Sequence, residues 1–307
     1  TSDTFEITPE KMDFRAYSIS WNLTKRCNLN CDHCYLDADF RGGFRTDELD
    51  TNQCKKVIDQ IAEVNPNAFL ILTGGEPLLR PDIYELIRYA ADKKFMVVLG
   101  TNGTLINEVN AKKIKAAGAH GVGISIDSMD ATKHNKFRGV SGAWEHSMEA
   151  FNVLNEVGVD FLIQMSVSDM NYREIPDVVA FTEKIGAIAF NLYFLVCTGR
   201  GQGNTDISNE AYEEALKMLY EQQMKYKGRL MINSKCAPQY KRVVYENDPD
   251  SVYTRTYSGG CPAGTHYSRI SPEGNMTPCP FIEESIGNLK TSSFKELWDD
   301  SPLMVQL

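Results

Sequence analysis

Phe69-Leu70-Ile71-Leu72-Thr73-Gly74-Gly75-Glu76-Pro77-Leu78-Leu79-Arg80-Pro81-Asp82-Ile83 sets out the unit from which most of the chain is built. A short apolar run reads as a strand, a Gly-Gly turn ends it, and Pro81, tolerated in a first helical turn, opens the next helix. Just upstream, Cys54, Val57, Ile58 and Ile61 recur at i, i+3, i+4 and i+7, which lines one face of the preceding helix. Strand patterns fall at 17–23, 69–72, 96–99, 122–126, 161–167 and 188–195, with longer amphipathic stretches between them. Six βα units in sequence predict parallel strands joined by right-handed crossovers, hence an α/β fold closing as a partial (β/α)6 TIM-like barrel over residues 17–229. A polar N-terminal extension, 1–16, precedes it. Near 199–203 the rhythm stops, a helix is predicted over 209–226, and the tail from 230 to 307 reads as a small separate subdomain holding Cys236, Cys261 and Cys279 among Gly, Pro and Tyr.

With 307 residues, 42% hydrophobic and 24% charged, the chain can bury one large core. A net charge of -9 argues against nucleic acid or an anionic membrane as partner, because phosphates demand clustered Lys and Arg. The sequence shows neither a charged-then-apolar leader nor an apolar run long enough to span a bilayer, so a cytoplasmic protein is expected. The eight cysteines then read as thiols, and clustered thiols in a reducing compartment point to metal or catalysis before disulfides. Cys54 falls on the apolar helix face and reads as core. Cys197 falls in a loop near the expected barrel mouth, where it could approach a substrate.

Directly after the first strand stands Trp21-Asn22-Leu23-Thr24-Lys25-Arg26-Cys27-Asn28-Leu29-Asn30-Cys31-Asp32-His33-Cys34-Tyr35. Its thiols lie at the C-terminal end of a strand, where barrel active sites sit. Spacings of three and then two intervening residues let one loop wrap three corners of a cubane, leaving the fourth iron without a protein ligand. Cys-x-x-Cys beside His33 also suits zinc, although zinc would usually pair two such hooks and the second is missing nearby. Three buried apolar cysteines is the third possibility.

This triplet resembles that of the radical S-adenosylmethionine (SAM) superfamily, as does Thr73-Gly74-Gly75-Glu76-Pro77 one βα unit later. The resemblance implies a [4Fe-4S] cluster on Cys27, Cys31 and Cys34. SAM would sit on the open iron, and reductive cleavage would give methionine and a 5'-deoxyadenosyl radical. It further implies that Gly74, Gly75 and Glu76 bind the methionyl amine, that His33 lies beside the adenine, and that Asn102 and Ser125 meet polar groups of SAM. Arg138 would reach the SAM carboxylate, with Gln164 and the backbone near Leu195 as further contacts. Each has a plainer alternative: Asn102-Gly103 as a turn, Ser125 as a cap, Arg138 as a solvated charge.

Cys236-Ala237-Pro238, Gly259-Gly260-Cys261-Pro262 and Thr277-Pro278-Cys279-Pro280 resemble the start of a SPASM or twitch extension, implying a second, auxiliary iron–sulfur cluster. A full SPASM domain would continue with further cysteines beyond residue 307. Trp21-Asn22-Leu23-Thr24, Leu78-Leu79-Arg80-Pro81-Asp82-Ile83, Thr198-Gly199-Arg200-Gly201 and Ile286-Gly287-Asn288-Leu289 are similar to the haem-modifying branch. That implies an iron tetrapyrrole as small-molecule substrate and a reducing partner such as flavodoxin or ferredoxin. Maturation of a peptide, and electron transfer without catalysis, are the alternatives. Tyr193, His266, Tyr267 and Arg269 could shape the substrate pocket, although packing explains tyrosines equally well. No catalytic acid is assigned.

Overall fold

Alternation along the strands decides which side of the sheet meets helices. Ile19 and Trp21 in β1 (Ser18–Asn22), Leu70 and Leu72 in β4 (Phe69–Thr73), and Val97 and Leu99 in β5 (Met96–Thr101) are fully buried in one core. Val122 and Ile124 in β6 (Gly121–Ser125), Ile163 and Met165 in β7 (Phe161–Val167), and Phe190 and Leu192 in β8 (Ala189–Phe194) continue it. Each such side chain contributes roughly 1.5–3 kcal/mol by leaving water, so this face is committed to the helices. Against it pack α1 (Thr51–Val64), α2 (Ile83–Asp92), α3 (Glu108–Ala117), α5 (Ala143–Val157), α6 (Ile175–Lys184) and α7 (Asn209–Lys225), while α4 (Ala131–Arg138) belongs to the loop after β6. The buried face of α1 is the predicted set Cys54, Val57, Ile58 and Ile61.

The opposite, inner face carries Asn22, Thr73, Gly100, Ser125, Gln164, Ser166, Asn191 and Tyr193 at the alternate positions. It is too polar to pack dry and becomes the wall of a site. The computed structural model describes residues 16–43, 45–202, 207–251 and 261–306. Residues 1–15, Gly203 and the Gly259-Gly260 pair lie outside them.

The six predicted strands are present and parallel, as a partial barrel requires. The tail, however, is not separate from the sheet. β9 (Met231–Lys235) adds parallel to β8, and β10 (Tyr267–Ile270) adds parallel to β1 on the other side. Beyond β10 the sheet continues antiparallel through β11 (Asn275–Thr277) and β12 (Gly287–Asn288). A second difference concerns Pro81. Helix α2 starts at Ile83, after Asp82, because Arg80 and Thr51 hold the Asp82 carboxylate and Arg80 Nη1 donates to the carbonyls of Leu23 and Leu49. That clamp ties the turn after β4 to the loop after β1.

Candidate active site

Three thiols leave the sheet together. After β1, the ladder of β2 (Arg26–Cys27) with β3 (Asp39–Phe40) closes a loop that contains Cys31 and Cys34. Each sulfur receives one N–H donor: Leu29 N donates to Cys27 Sγ at 3.4 Å, Ala38 N to Cys34 Sγ at 3.4 Å, and Arg138 Nη1 to Cys31 Sγ at 3.7 Å. Such donors favour the thiolate. Burial opposes them, pushing the Cys27 thiol up to about 12 and the Cys31 thiol above its ordinary value, and Cys31 and Cys34 both add to the rise at Cys27. A bound cation would resolve that conflict by displacing the protons. Among the described residues no three His, Cys, Asp or Glu side chains are grouped as a single metal ion needs. The ligands of a cubane stand instead on separate corners. The three N–H-assisted sulfurs fit such a cluster, with Cys27, Cys31 and Cys34 as candidate ligands.

The Gly-Gly-Glu turn packs straight against this loop. Gly75 N donates to Thr24 O at 2.7 Å and Glu76 N to Arg26 O at 2.8 Å, and a Cβ on Gly75 would stand 2.2 Å from Arg26 O. The cysteine loop itself, not only a ligand, therefore demands glycine. Glu76 is also turned inward. Fully buried, its carboxylate lies 2.8 and 2.9 Å from Thr101 Oγ1 and accepts from Asn102 N at 2.9 Å and Leu78 N at 3.0 Å. In this structure the carboxylate anchors the tips of β4 and β5.

Burial pushes Glu76 up to about 7, against the opposing pull of Asn102 N, Leu78 N and Thr101. Between the ordinary carboxylate range and 7 the folded state thus holds a proton that the unfolded chain has lost. Stability falls as pH rises across that window, by about 3 kcal/mol in full. Thermal unfolding of the metal-free protein between pH 5 and 7.5 is expected to show the loss, and a Glu76→Gln variant to lack it. An unchanged pH slope in the variant would assign the titration elsewhere.

Asn102 is likewise engaged inside the protein. It donates from Nδ2 to Asn28 Oδ1 at 2.8 Å and accepts from Thr104 N at 2.9 Å and Thr104 Oγ1 at 2.7 Å. Its amide pins the cysteine loop to the tip of β5.

Arg138, the last residue of α4, holds Asp127 and reaches the cysteines at once. Its Nε and Nη2 both stand 2.6 Å from Asp127 Oδ2, Ser166 N donates to Asp127 Oδ1 at 3.0 Å, and Nη1 faces Cys31. The guanidinium therefore braces a buried carboxylate and a sulfur, where the sequence suggests a partner for the SAM carboxylate. Next to it the His33 ring stacks on Phe137 with centroids 4.1 Å apart, and burial pushes His33 down to about 3, leaving it neutral near neutral pH. Its buried Nδ1 has no hydrogen-bond partner among the described residues. An orphaned nitrogen beside the cysteine loop is a group that a polar ligand would satisfy.

Ser125 and Gln164 are register partners on the inner face, and Leu195 follows the end of β8, half-buried. A residue that sequence reading missed joins them. Arg200 donates from its backbone N to Cys34 O at 3.1 Å, from Nε to Cys31 O at 3.1 Å and from Nη1 to Ala38 O at 2.8 Å. It straps the cysteine loop from above. Gly199 before it has φ +58, and a Cβ there would stand 2.5 Å from Cys34 O. The Thr198-Gly199-Arg200-Gly201 motif was the available signal. Cys197 lies exposed just before this strap, and Cys54 is fully buried in α1.

The second thiol set follows or precedes strand ends: Cys236 follows β9, Cys261 precedes β10 and Cys279 follows β11, and these cysteines, far apart in sequence, lie within electrostatic reach of one another. Desolvation pushes the Cys236 thiol up to about 12, with Cys279 and Cys261 adding to the rise, and Cys261 also raises Cys279. Between the two sets stands half-buried Tyr35, raised from its ordinary value by desolvation, with both Cys34 and Cys279 adding to the rise. Tyr193 lies within reach of both Cys236 and Tyr35. His266 is exposed.

Comparison with known proteins agrees with this architecture. The family pattern described as "Radical SAM superfamily" matches residues 21–182, and "Iron-sulfur cluster-binding domain" (SPASM) matches residues 261–306. An AdoMet-dependent heme synthase of Nitratidesulfovibrio vulgaris is 37% identical over 296 residues, covering 92% of this chain and 78% of the relative. The Fe-coproporphyrin III synthase of Methanosarcina barkeri is 32% identical over 301 residues, covering 92% and 73%. In structure the chain is similar to Streptococcus suis SuiB bound to precursor peptide SuiA, with a TM-score of 0.76, 17% identity and coverage of 95% of this chain and 67% of that one. The last likeness concerns the fold alone. Among the described residues no helix is long and apolar enough to cross a membrane.

Proposed function

We propose, for a chain that belongs to the radical SAM superfamily and is a radical SAM enzyme, that it cleaves SAM reductively and uses the resulting 5'-deoxyadenosyl radical to abstract hydrogen from a side chain of an iron tetrapyrrole. The observation that carries the first half is the set of three sulfurs at the barrel mouth, each facing one N–H donor. Cys27, Cys31 and Cys34 would hold the cluster, which would supply the electron for cleavage of the carbon–sulfur bond of SAM. Around it, Arg138 and Arg200 hold the loop that carries the ligands, and the backbone of Gly74 and Gly75 keeps that loop against β4. The unpaired His33 Nδ1, Ser125, Gln164 and the backbone near Leu195 are the proposed SAM contacts. The second half is supported by the relatives named for haem and Fe-coproporphyrin synthesis, which align over 92% of the chain. Cys236, Cys261 and Cys279 would hold the auxiliary cluster, and a flavodoxin or ferredoxin would supply electrons.

The test is turnover by anaerobically reconstituted protein given SAM, a strong reductant and an iron tetrapyrrole with propionate side chains. The expected result is 5'-deoxyadenosine formed together with a visible-spectrum change and a mass change in the tetrapyrrole. Turnover confined to a peptide would overturn the substrate assignment and leave the SAM chemistry standing.

A further inference from the structure

Between the two cysteine sets the structure holds a group of donors with no acceptor of their own. Asn22, fully buried at the end of β1, uses both ends of its amide: Nδ2 donates to the Tyr35 hydroxyl oxygen at 2.8 Å, and Oδ1 accepts from Arg269 Nε at 2.7 Å. One amide thereby fixes a phenol and a guanidinium side by side. Arg269 comes from β10, where it pairs in register with Ser20 of β1, and its side chain is half-buried on the inner face. Its Nη1 and Nη2 meet no hydrogen-bond acceptor among the described residues, and no carboxylate there lies within 4.0 Å of the guanidinium. The Tyr35 hydroxyl proton likewise has no acceptor among them. Burial draws the Arg269 guanidinium below its ordinary value, although Tyr35, Glu273 and Tyr267 favour the charge. A half-buried cation with no carboxylate hydrogen-bonded to it gains when an anion binds its free N–H groups.

The space in front is a cavity of about 230 Å³ at the mouth, lined by Arg269 with Lys25, Ser271 and Thr277. Glu273 and Glu283 also line it, but Glu273 Oε2 already accepts from Ser271 Oγ at 2.8 Å. With Nε held by Asn22, the guanidinium that lines this cavity keeps Nη1 and Nη2 as donors without an acceptor among the described residues, and Lys25 adds a second positive charge to the wall. These donors match the lone pairs of a carboxylate, which a guanidinium fork grips at both oxygens.

We infer that Arg269, oriented by Asn22 and flanked by the Tyr35 hydroxyl, is the anchor for a carboxylate side chain of the substrate. The inference rests on the proposed tetrapyrrole reading, since propionates are the carboxylates such a substrate carries. It gives the site a handle that fixes one side chain while its neighbour faces the radical. SAM bears a carboxylate too, and the experiment separates the two sources.

Iron coproporphyrin and its tetramethyl ester would be titrated into reconstituted wild type and into Arg269→Gln and Arg269→Lys, followed by visible absorption, with SAM affinity measured in parallel. Iron content and the far-UV spectrum show whether each variant has folded. Arg269→Gln is expected to weaken the free acid about 10- to 100-fold, the value of charge-assisted hydrogen bonds, and Arg269→Lys to weaken it less. The ester should not distinguish wild type from either variant. Equal affinity of wild type and Arg269→Gln for the acid overturns the inference alone, as does a folded variant that loses SAM affinity and keeps the acid's. Wild type that binds neither porphyrin overturns the tetrapyrrole reading and the inference with it.

Discussion

A Cys31→Ala variant is expected to form 5'-deoxyadenosine only at background, a loss on the order of a thousandfold or more, because no electron reaches SAM without the cluster. The sulfur it removes faces Arg138 Nη1 at 3.7 Å, in a loop closed by the β2–β3 ladder and strapped by Arg200. Those ties do not depend on Cys31, so the chain should fold while losing iron. The companion variant is Cys54→Ala. Cys54 lies in the helical core with its thiol toward Leu49 O, and its truncation should lower stability while leaving iron content as in wild type. Iron analysis with product quantification decides the matter. A Cys31→Ala protein with wild-type iron and product would remove Cys31 from the site.

The second large effect concerns stability. Arg138→Met leaves Asp127 fully buried with its main counter-ion gone, and stranding one charge of a buried pair costs about 3–5 kcal/mol. Chemical denaturation of the metal-free protein should report a loss of that size, and adding Asp127→Asn should recover a large part of it, since the double variant buries no lone charge. Arg138 is the first influence that holds the Asp127 carboxyl below its usual range in spite of burial. Its contribution is therefore present at neutral pH and lost as pH falls through that lowered value, so wild type and variant should converge in acid. A variant as stable as wild type would mean that the Asp127 pairing contributes little.

The strands of the barrel were legible because their buried faces meet helices: Leu70 and Leu72, or Phe190 and Leu192, announce themselves by apolar runs. β9 and β10 were not legible for the opposite reason. Met231-Ile232-Asn233-Ser234-Lys235 and Tyr267-Ser268-Arg269-Ile270 turn polar residues to the inner wall, and so resemble loop in sequence. Their place in the sheet depends on pairing with strands far along the chain. The cysteine triplet could be read because its spacing is local. Glu76, Asn102 and Arg138 could be read as belonging to the mouth, but not as internal braces, because Thr101, Asn28 and Asp127 reach them only through the fold. Asn22 and Arg269 stand 247 positions apart, beyond any local pattern.

Electron–nuclear resonance on the reduced, reconstituted protein, with SAM carrying ¹⁵N in its methionyl amine, asks whether one iron is open to that ligand. A resolved nitrogen hyperfine coupling, absent in Cys31→Ala, is the result predicted for a cluster held by only three protein thiolates. A wild-type cluster that shows no coupling at saturating SAM would contradict it.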